Sequence, residues 1–300
     1  MGQKDILQSA LHCFTHKRVA DTHKGDYGKV LVIAGSVGMT GATCLCGKAA
    51  LHMGAGLVYL AAPGGLISTY ECLLTEAVKL PVGKKEDLWF CEAHYGELLT
   101  LSKGKDVVVI GPGLGSRPET AKLIRSLLQT PDFAPDAAGI IVDADGLNAW
   151  AQYLPELTAI ASKRLVLTPH EGEFARLSKQ TASEIHSNRE RMAADFAQKL
   201  SGATVILKGA QTIITNGEAL CVNTTGNPGM ATGGSGDVLA GMLAGLVATE
   251  GKKEDLYTLC TYGVALHGHC GDLAAAKYGE RFITAGCLIE EMGALCHDAR

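Results

Sequence analysis

Short apolar, β-branched runs alternate with longer amphipathic stretches along the whole chain. The runs at 29–34 (KVLVIA), 57–61 (LVYLA), 106–110 (DVVVI), 139–142 (GIIV), 164–167 (RLVL), 204–207 (TVIL), 211–215 (QTIIT) and 220–222 (LCV) read as strands. Several hold segments apolar on both faces (VLVIA, VVVI, IIV, LVL, VIL), and strands buried on both faces belong to parallel sheets covered by helices. Between them, residues 184–200 place Ile185, Met192, Phe196 and Leu200 at helical spacing, with Arg and Glu opposite. Residues 237–249, 255–278 and 283–297 also read as helical. Asn216-Gly217 joins the last two strand runs as a hairpin. No Pro-rich or Ser/Gly linker and no repeat of 20–50 residues divides the chain. The pattern predicts one domain over residues 1–300. Its architecture is α/β, a three-layer, doubly wound, mostly parallel sheet with an edge hairpin and a helical C-terminal third packed on the sheet. In such folds ligands bind beyond the carboxyl ends of the strands.

Composition narrows the function. Charged residues make 19% of the chain and the net charge is −4. That argues against disorder and against a nucleic-acid partner held by phosphate contacts. The longest apolar run, Val238 to Ala248, is too short to span a membrane, and the N-terminal residues do not read as a signal peptide. Gly2 lacks the spacing of a myristoylation signal, with Ile6 where Ser or Thr is required. The ten cysteines show no paired CxxC knuckles and no zinc spacing. Most of them, including Cys13, Cys44, Cys46, Cys72, Cys260, Cys287 and Cys296, lie in apolar segments. They read as reduced, buried thiols of a cytoplasmic protein. Thirty-seven glycines exceed the usual ~7%. They cluster in loops where backbone approaches something closely.

These loops follow the strands. Gly35-Ser36-Val37-Gly38-Met39-Thr40-Gly41-Ala42 follows the first run and leads into a helix. It is neither a Walker A loop nor a GxGxxG fingerprint, and a tight βα turn explains it as well as a ligand does. Gly111-Pro112-Gly113-Leu114-Gly115 makes a backbone-lined shelf, or a packed turn beneath a helix. Asp143-Ala144-Asp145 at a strand end suits a hydrated Mg²⁺ or a substrate hydroxyl, or helix capping by Asp145. Thr168-Pro169-His170-Glu171-Gly172-Glu173 brings a histidine and two carboxylates to another strand end, with Pro169 stiffening the exit so that the imidazole is held in one direction. The sharpest signal is Asn227 through Asp237, ending Gly233-Gly234-Ser235-Gly236-Asp237 before an apolar helix. Backbone N–H groups there converge with the helix dipole into an anion hole for a transferring phosphoryl group. Asp237 can accept the proton of an attacking hydroxyl, or merely cap the helix.

The Gly-Gly-Ser-Gly-Asp element resembles the anion-hole and base motif of the ribokinase-like superfamily. The ordered set of His23–Lys29, Gly111–Gly115, Val142–Asn148, Thr168–Glu173, Lys208-Gly209-Ala210 and Asn227–Asp237 resembles the ADP/ATP-dependent NAD(P)H-hydrate dehydratases over nearly the whole chain. The resemblance implies a ribokinase-like fold and a metabolite-repair lyase. A nucleotide phosphorylates the hydroxyl of hydrated NADH or NADPH, and loss of phosphate restores the cofactor. It implies Asp237 as base and Gly233, Gly234, Ser235 and Gly236 as anion hole. Ala42, Gly115, His170 and Asp237 would contact the hydrate. Lys208, Gly209, Ala210, Gln211, Thr212 and Gly236 would hold ADP or ATP, and Glu173 would organise Mg²⁺ through water. Family members are often fused to an N-terminal epimerase. Only about twenty residues precede the first shared motif, so that activity is expected from a separate partner. Relatives are commonly homo-oligomers, and the Ala-, Cys- and Leu-rich C-terminal helices could bury an interface. The alternatives are a vitamin-precursor or sugar kinase of the same superfamily, a non-catalytic adenine-nucleotide sensor, and a Rossmann oxidoreductase, which the missing GxGxxG counts against. Nothing in the sequence decides between ADP and ATP.

Overall fold

The computed structural model describes residues 3–298; Gly2, read above for its acylation context, lies outside them. Nine strands form one sheet: β1 (Lys29–Ile33), β2 (Leu57–Pro63), β3 (Val78–Val82), β4 (Val107–Ile110), β5 (Gly139–Val142), β6 (Leu165–Leu167), β7 (Thr204–Leu207), β8 (Ile213–Thr215) and β9 (Leu220–Val222). Their spatial order is β3-β2-β1-β4-β5-β6-β7-β8-β9. Pairing is parallel from β3 to β7, with Val30 beside Val58 on one side and Val107 on the other. The last two strands run antiparallel as the expected edge hairpin. Gly217 turns it at φ +87° and the Asn216 side chain accepts from the Glu218 and Ala219 N–H groups.

The helices are α1 (Gln3–Thr15), α2 (Thr40–His52), α3 (Ile67–Leu73), α4 (Tyr95–Leu101), α5 (Pro118–Leu128), α6 (Asp145–Asn148), α7 (Leu154–Ile160), α8 (Glu171–Ser178), α9 (Ala182–Ser187), α10 (Arg189–Lys199), α11 (Ser235–Glu250), α12 (Leu256–Tyr278), α13 (Ala285–Glu291) and α14 (Leu295–Asp298). The all-apolar strands divide their side chains between two helical layers by the two-residue period. Val30, Val32, Val107, Val109, Ile141 and Ile206 join residues of α2, α11, α12 and α13 in one core. Leu31, Ile33, Val108, Ile110, Val142 and Leu207 join residues of α5, α8 and α10 in the other.

Helix α11 is apolar all round because it is enclosed all round: residues 238–247 are buried. It lies directly on α2. A Cβ at Gly241 would collide with the Cys46 carbonyl, and one at Gly245 would come within 2.6 Å of the Ala50 carbonyl. Much of the apolar surface of the C-terminal helices is buried inside the chain.

Four local expectations change. The edge strand β3 was not anticipated, because Lys79 and Pro81 interrupt its apolar pattern and its residues are mostly part-exposed. The helix expected over 184–200 breaks at Asn188 (φ −143°, ψ 37°), after Thr181 and Glu184 have closed a capping box on α9. The segment 283–297 is interrupted by a 3₁₀ turn at Met292–Ala294. All ten cysteines are free, but Cys72 and Cys296 are exposed rather than buried. Among the described residues no helix is long and apolar enough to cross a membrane.

Candidate active site

The strand order reverses between β1 and β4, the point where a doubly wound sheet opens a crevice at its carboxyl edge. The loops after these two strands interlock. The Gly35 N–H donates to the Pro112 carbonyl at 3.0 Å and the Ser36 hydroxyl donates to the Gly113 carbonyl at 2.9 Å. Gly111 is required here: at φ +134° a Cβ would run into the Asp143 carbonyl. The shelf ends at Gly115, whose N–H donates to Asp145 Oδ2 at 2.8 Å. Ala42, in the first turn of α2, flanks the shelf at Gly113. Gly41 beside it faces open space, as does Gly233 across the site.

Asp143 and Asp145 do not form an open ligand pair. Asp143 is buried and accepts from Thr168 Oγ1 at 2.7 Å and from Lys208 Nζ at 2.8 Å, both on Oδ1. Asp145 is tied to Gly115, and the N-cap of α6 is Ala144 rather than Asp145.

The exits of β6 and β7 are joined beyond the regular ladder. His170 and Lys208 form a parallel bridge, and the Lys208 N–H donates to the Pro169 carbonyl at 2.8 Å. His170 is the N-cap of α8. Its Nδ1 accepts from the Gly172 and Glu173 N–H groups at 3.0 and 3.3 Å, while Glu173 Oε2 accepts the His170 N–H at 2.9 Å. The ring is held in one direction, as expected, but by this capping box. It is also exposed, with 54% of its side chain accessible. Glu173 is buried beneath it with Oε1 3.4 Å from His170 Nε2.

The 208–212 segment splits in direction. Gly209, Ala210 and Gln211 are exposed, with Gln211 at φ +58°. Thr212 Oγ1 closes the turn on the Gly209 carbonyl at 3.0 Å, and Arg189 holds the Ala210 carbonyl at 2.6 Å. The Lys208 side chain turns away from them into the site. A Cβ at Gly236 would lie 3.1 Å from Lys208 Nζ, so glycine there admits the ammonium to the N-terminus of α11.

That N-terminus carries no side-chain cap. Gly234 is the N-cap at φ +91°, and Asp237 sits in the first turn. Asp237 therefore does not cap the helix, and among the described residues its carboxylate receives no hydrogen bond. Burial, then the Asp143 carboxylate, push its pKa up to about 7; Lys208 opposes, while Asp145 and Glu173 add to the rise. Glu173 is also raised, chiefly by burial and against Lys208. Burial works against the Lys208 ammonium, but Asp143, Glu173 and Asp237 outweigh it and its pKa is raised. One cation thus serves several carboxylates, and the proton-hungry member is Asp237.

Sequence reading missed what holds this loop from behind, namely residues of α12. Asp272 accepts from the Gly226 N–H at 2.9 Å and from Asn227 Nδ2 at 3.0 Å. Thr225 Oγ1 donates to the Ala265 carbonyl at 2.9 Å, and buried His267 lies 3.0 Å from the Ser235 carbonyl. Their available signal was polar side chains set in an otherwise apolar helical pattern.

Comparison with known proteins identifies the family. The bifunctional NAD(P)H-hydrate repair enzyme Nnr of Moorella thermoacetica is 42% identical over 276 residues, 91% of this chain and 50% of that protein. The chain spans about half the length of the curated relatives it matches. An ADP/ATP-dependent NAD(P)H-hydrate dehydratase from Bacillus subtilis, co-crystallised with ATP and Mg²⁺, superposes with a TM-score of 0.78 at 26% identity, covering 98% of this chain and 97% of that one. A ribokinase-like superfamily protein from Enterococcus faecalis superposes with a TM-score of 0.78 at 25% identity, covering 100% and 95%. The fold is ribokinase-like. With residues 30–292 matching its pattern, the chain belongs to the NAD(P)H-hydrate dehydratase family.

Proposed function

We propose that the chain catalyses nucleotide-dependent dehydration of hydrated NADH or NADPH. The observation that carries this reading is Asp237, a half-buried carboxylate with its pKa raised to about 7, in the first turn of a helix whose N-terminus has no side-chain cap. Asp237 takes the proton of the hydrate's ring hydroxyl as that oxygen attacks the terminal phosphoryl group of ADP or ATP. AMP or ADP leaves. The N–H groups of Gly233, Gly234, Ser235 and Gly236, with the Lys208 ammonium beside Gly236, stabilise the charge that develops. Inorganic phosphate then departs with a ring proton lost, restoring the double bond of the dihydronicotinamide.

Ala42, Gly115 and the exposed imidazole of His170 contact the hydrate. Lys208, Gly209, Ala210, Gln211, Thr212 and Gly236 hold the nucleotide, Lys208 at its phosphoryl end and the exposed 209–211 backbone further out. Among the described residues no group of three or more His, Cys, Asp and Glu could hold a metal ion. Mg²⁺ keeps several waters and is commonly bound by one or two carboxylates plus substrate phosphates, so a nucleotide-borne ion fits a site with so few free carboxylates. Glu173 would hold it through water. When bound, it would neutralise phosphoryl charge. An NAD(P)H-hydrate epimerase activity is the functional partner that this reading implies.

The test is incubation with hydrated NADH plus ADP or ATP, following the return of dihydronicotinamide absorbance. Recovery with phosphate release is expected. Accumulation of a stable phosphorylated product would mark a small-molecule kinase, and nucleotide binding without turnover a sensor.

A further inference from the structure

We propose that His267 is a positioning residue that holds the first turn of α11 in the conformation the anion hole needs. The inference rests on the dehydratase reading of that turn.

The turn has little of its own to hold it. Gly233, Gly234 and Gly236 have high backbone freedom and low helix propensity. A helix usually secures such a start with a Ser, Thr, Asp or Asn side chain that accepts from the N2 or N3 N–H group. Here the N-cap is Gly234 and no side chain caps. A cap would occupy the N–H groups that a phosphoryl group must receive. The turn therefore has to be secured from its carbonyl side, which leaves the Gly236 N–H uncapped; the Ser235 N–H makes a long 3.4 Å bond to the Thr232 carbonyl.

His267 does this from α12. Its ring is buried and its Nε2 lies 3.0 Å from the Ser235 carbonyl, with Ser235 Oγ further off at 3.4 Å. A carbonyl oxygen only accepts, so Nε2 carries the hydrogen and donates. Burial, with Lys208 adding to it and the Ser235 contact opposing, brings the imidazole down to about 4. The ring is therefore neutral, and it supplies a donor without adding a second cation beside Lys208. The Ser235 carbonyl and the Gly236 N–H share one planar peptide and point in opposite directions. Fixing the carbonyl toward α12 fixes the Gly236 N–H toward the anion site. Asp272 and Thr225 anchor the preceding loop to the same helix, so α12 forms a continuous back wall.

The experiment compares His267→Leu, which removes the donor, with His267→Gln, which keeps one at similar reach. In the wild-type enzyme active on hydrated NADH, Leu should lower kcat roughly 10–100-fold, as expected when a preorganised donor is set loose. KM for the hydrate should stay within about threefold. Gln should recover most of the loss. Independently of activity, amide hydrogen exchange at Val238, whose N–H donates to the Gly234 carbonyl, should accelerate in the Leu variant while β4 and β5 keep their protection. Wild-type kcat in the Leu variant, equal impairment of Leu and Gln, or unchanged exchange at Val238 would overturn the proposal. Should Leu not give folded protein, His267→Met replaces it. Loss of folded protein in every variant would leave His267 a scaffold residue and overturn the proposal too. A wild-type enzyme that failed to dehydrate the hydrate would instead overturn the functional reading, and the exchange measurement would still decide the fate of the brace.

Discussion

Two helices start at the same edge of the sheet and start in opposite ways. Helix α8 opens with a complete capping box, in which His170 and Glu173 satisfy each other's backbone N–H groups. Helix α11 opens with a glycine in left-handed conformation and no capping side chain. A cap is typically worth about 1 kcal/mol, so α11 forgoes a stabilisation that its neighbour keeps. What distinguishes them is what each N-terminus faces. The N–H groups at the start of α8 are consumed by its own cap, whereas no side chain takes those at the start of α11, where the proposed reading puts the phosphoryl group. The same division applies to the carboxylates. Glu173 is engaged by the His170 backbone, whereas Asp237 stands unengaged and costly.

The largest test of this contrast is Asp237→Asn. If Asp237 is the base, kcat falls by about 10²–10⁴ with nucleotide affinity little changed; near-normal turnover would remove it from the mechanism. The same variant reads the cost of the open end. The pKa of Asp237 is raised on folding to about 7, above the unfolded ~3.9. The folded state therefore binds the extra proton, and stability declines as pH rises from about 4 through 7. Asn removes that decline. Allowing for solvent screening, the variant should be more stable than wild type by about 1–2 kcal/mol at pH 8 and no more stable at pH 4. Denaturation at the two pH values measures it, and equal stability at pH 8 would contradict the raised pKa.

A smaller effect is expected at Gly236. A Cβ there meets Lys208 Nζ at 3.1 Å, so Gly236→Ala should displace the ammonium and lower kcat roughly tenfold with little change in Tm. Unchanged kcat would mean that Lys208 does not act at the phosphoryl group.

The smallest concerns the closed end. His170→Ala loses the cap and the exposed imidazole together. It should cost about 1 kcal/mol of stability and raise the hydrate KM by about fivefold. His170→Asn retains a capping oxygen, so it should restore stability and leave KM raised. If Asn restored both, the histidine would be a cap and nothing more.

The contrast also explains what could be read from the residues. The glycine loops were legible because their chemistry demands a residue type: only glycine sits at φ +134° against the Asp143 carbonyl. The all-apolar strands were legible because burial on both faces leaves no alternative composition. Strand β3 was not, since an edge position tolerates Lys79 and Pro81. The His170 cap escaped notice because histidine is not among the usual N-cap residues, although the Glu three positions on is the usual partner. The direction of the Lys208 side chain and the brace from His267 depend on contacts 65 and 32 residues away in sequence, and no local pattern encodes those.

The parallel strand order also acts as a ruler. From β1, which carries the loop to Ala42, to β7, which carries Lys208, the sheet advances four strands. At about 4.8 Å per strand that is roughly 19 Å. Asp143 and Thr168 leave from β5 and β6, within that span. The residues assigned to the hydrate and to the nucleotide are thus spread along the sheet edge rather than gathered on one strand, and the two sets touch where His170 and Lys208 form their parallel bridge.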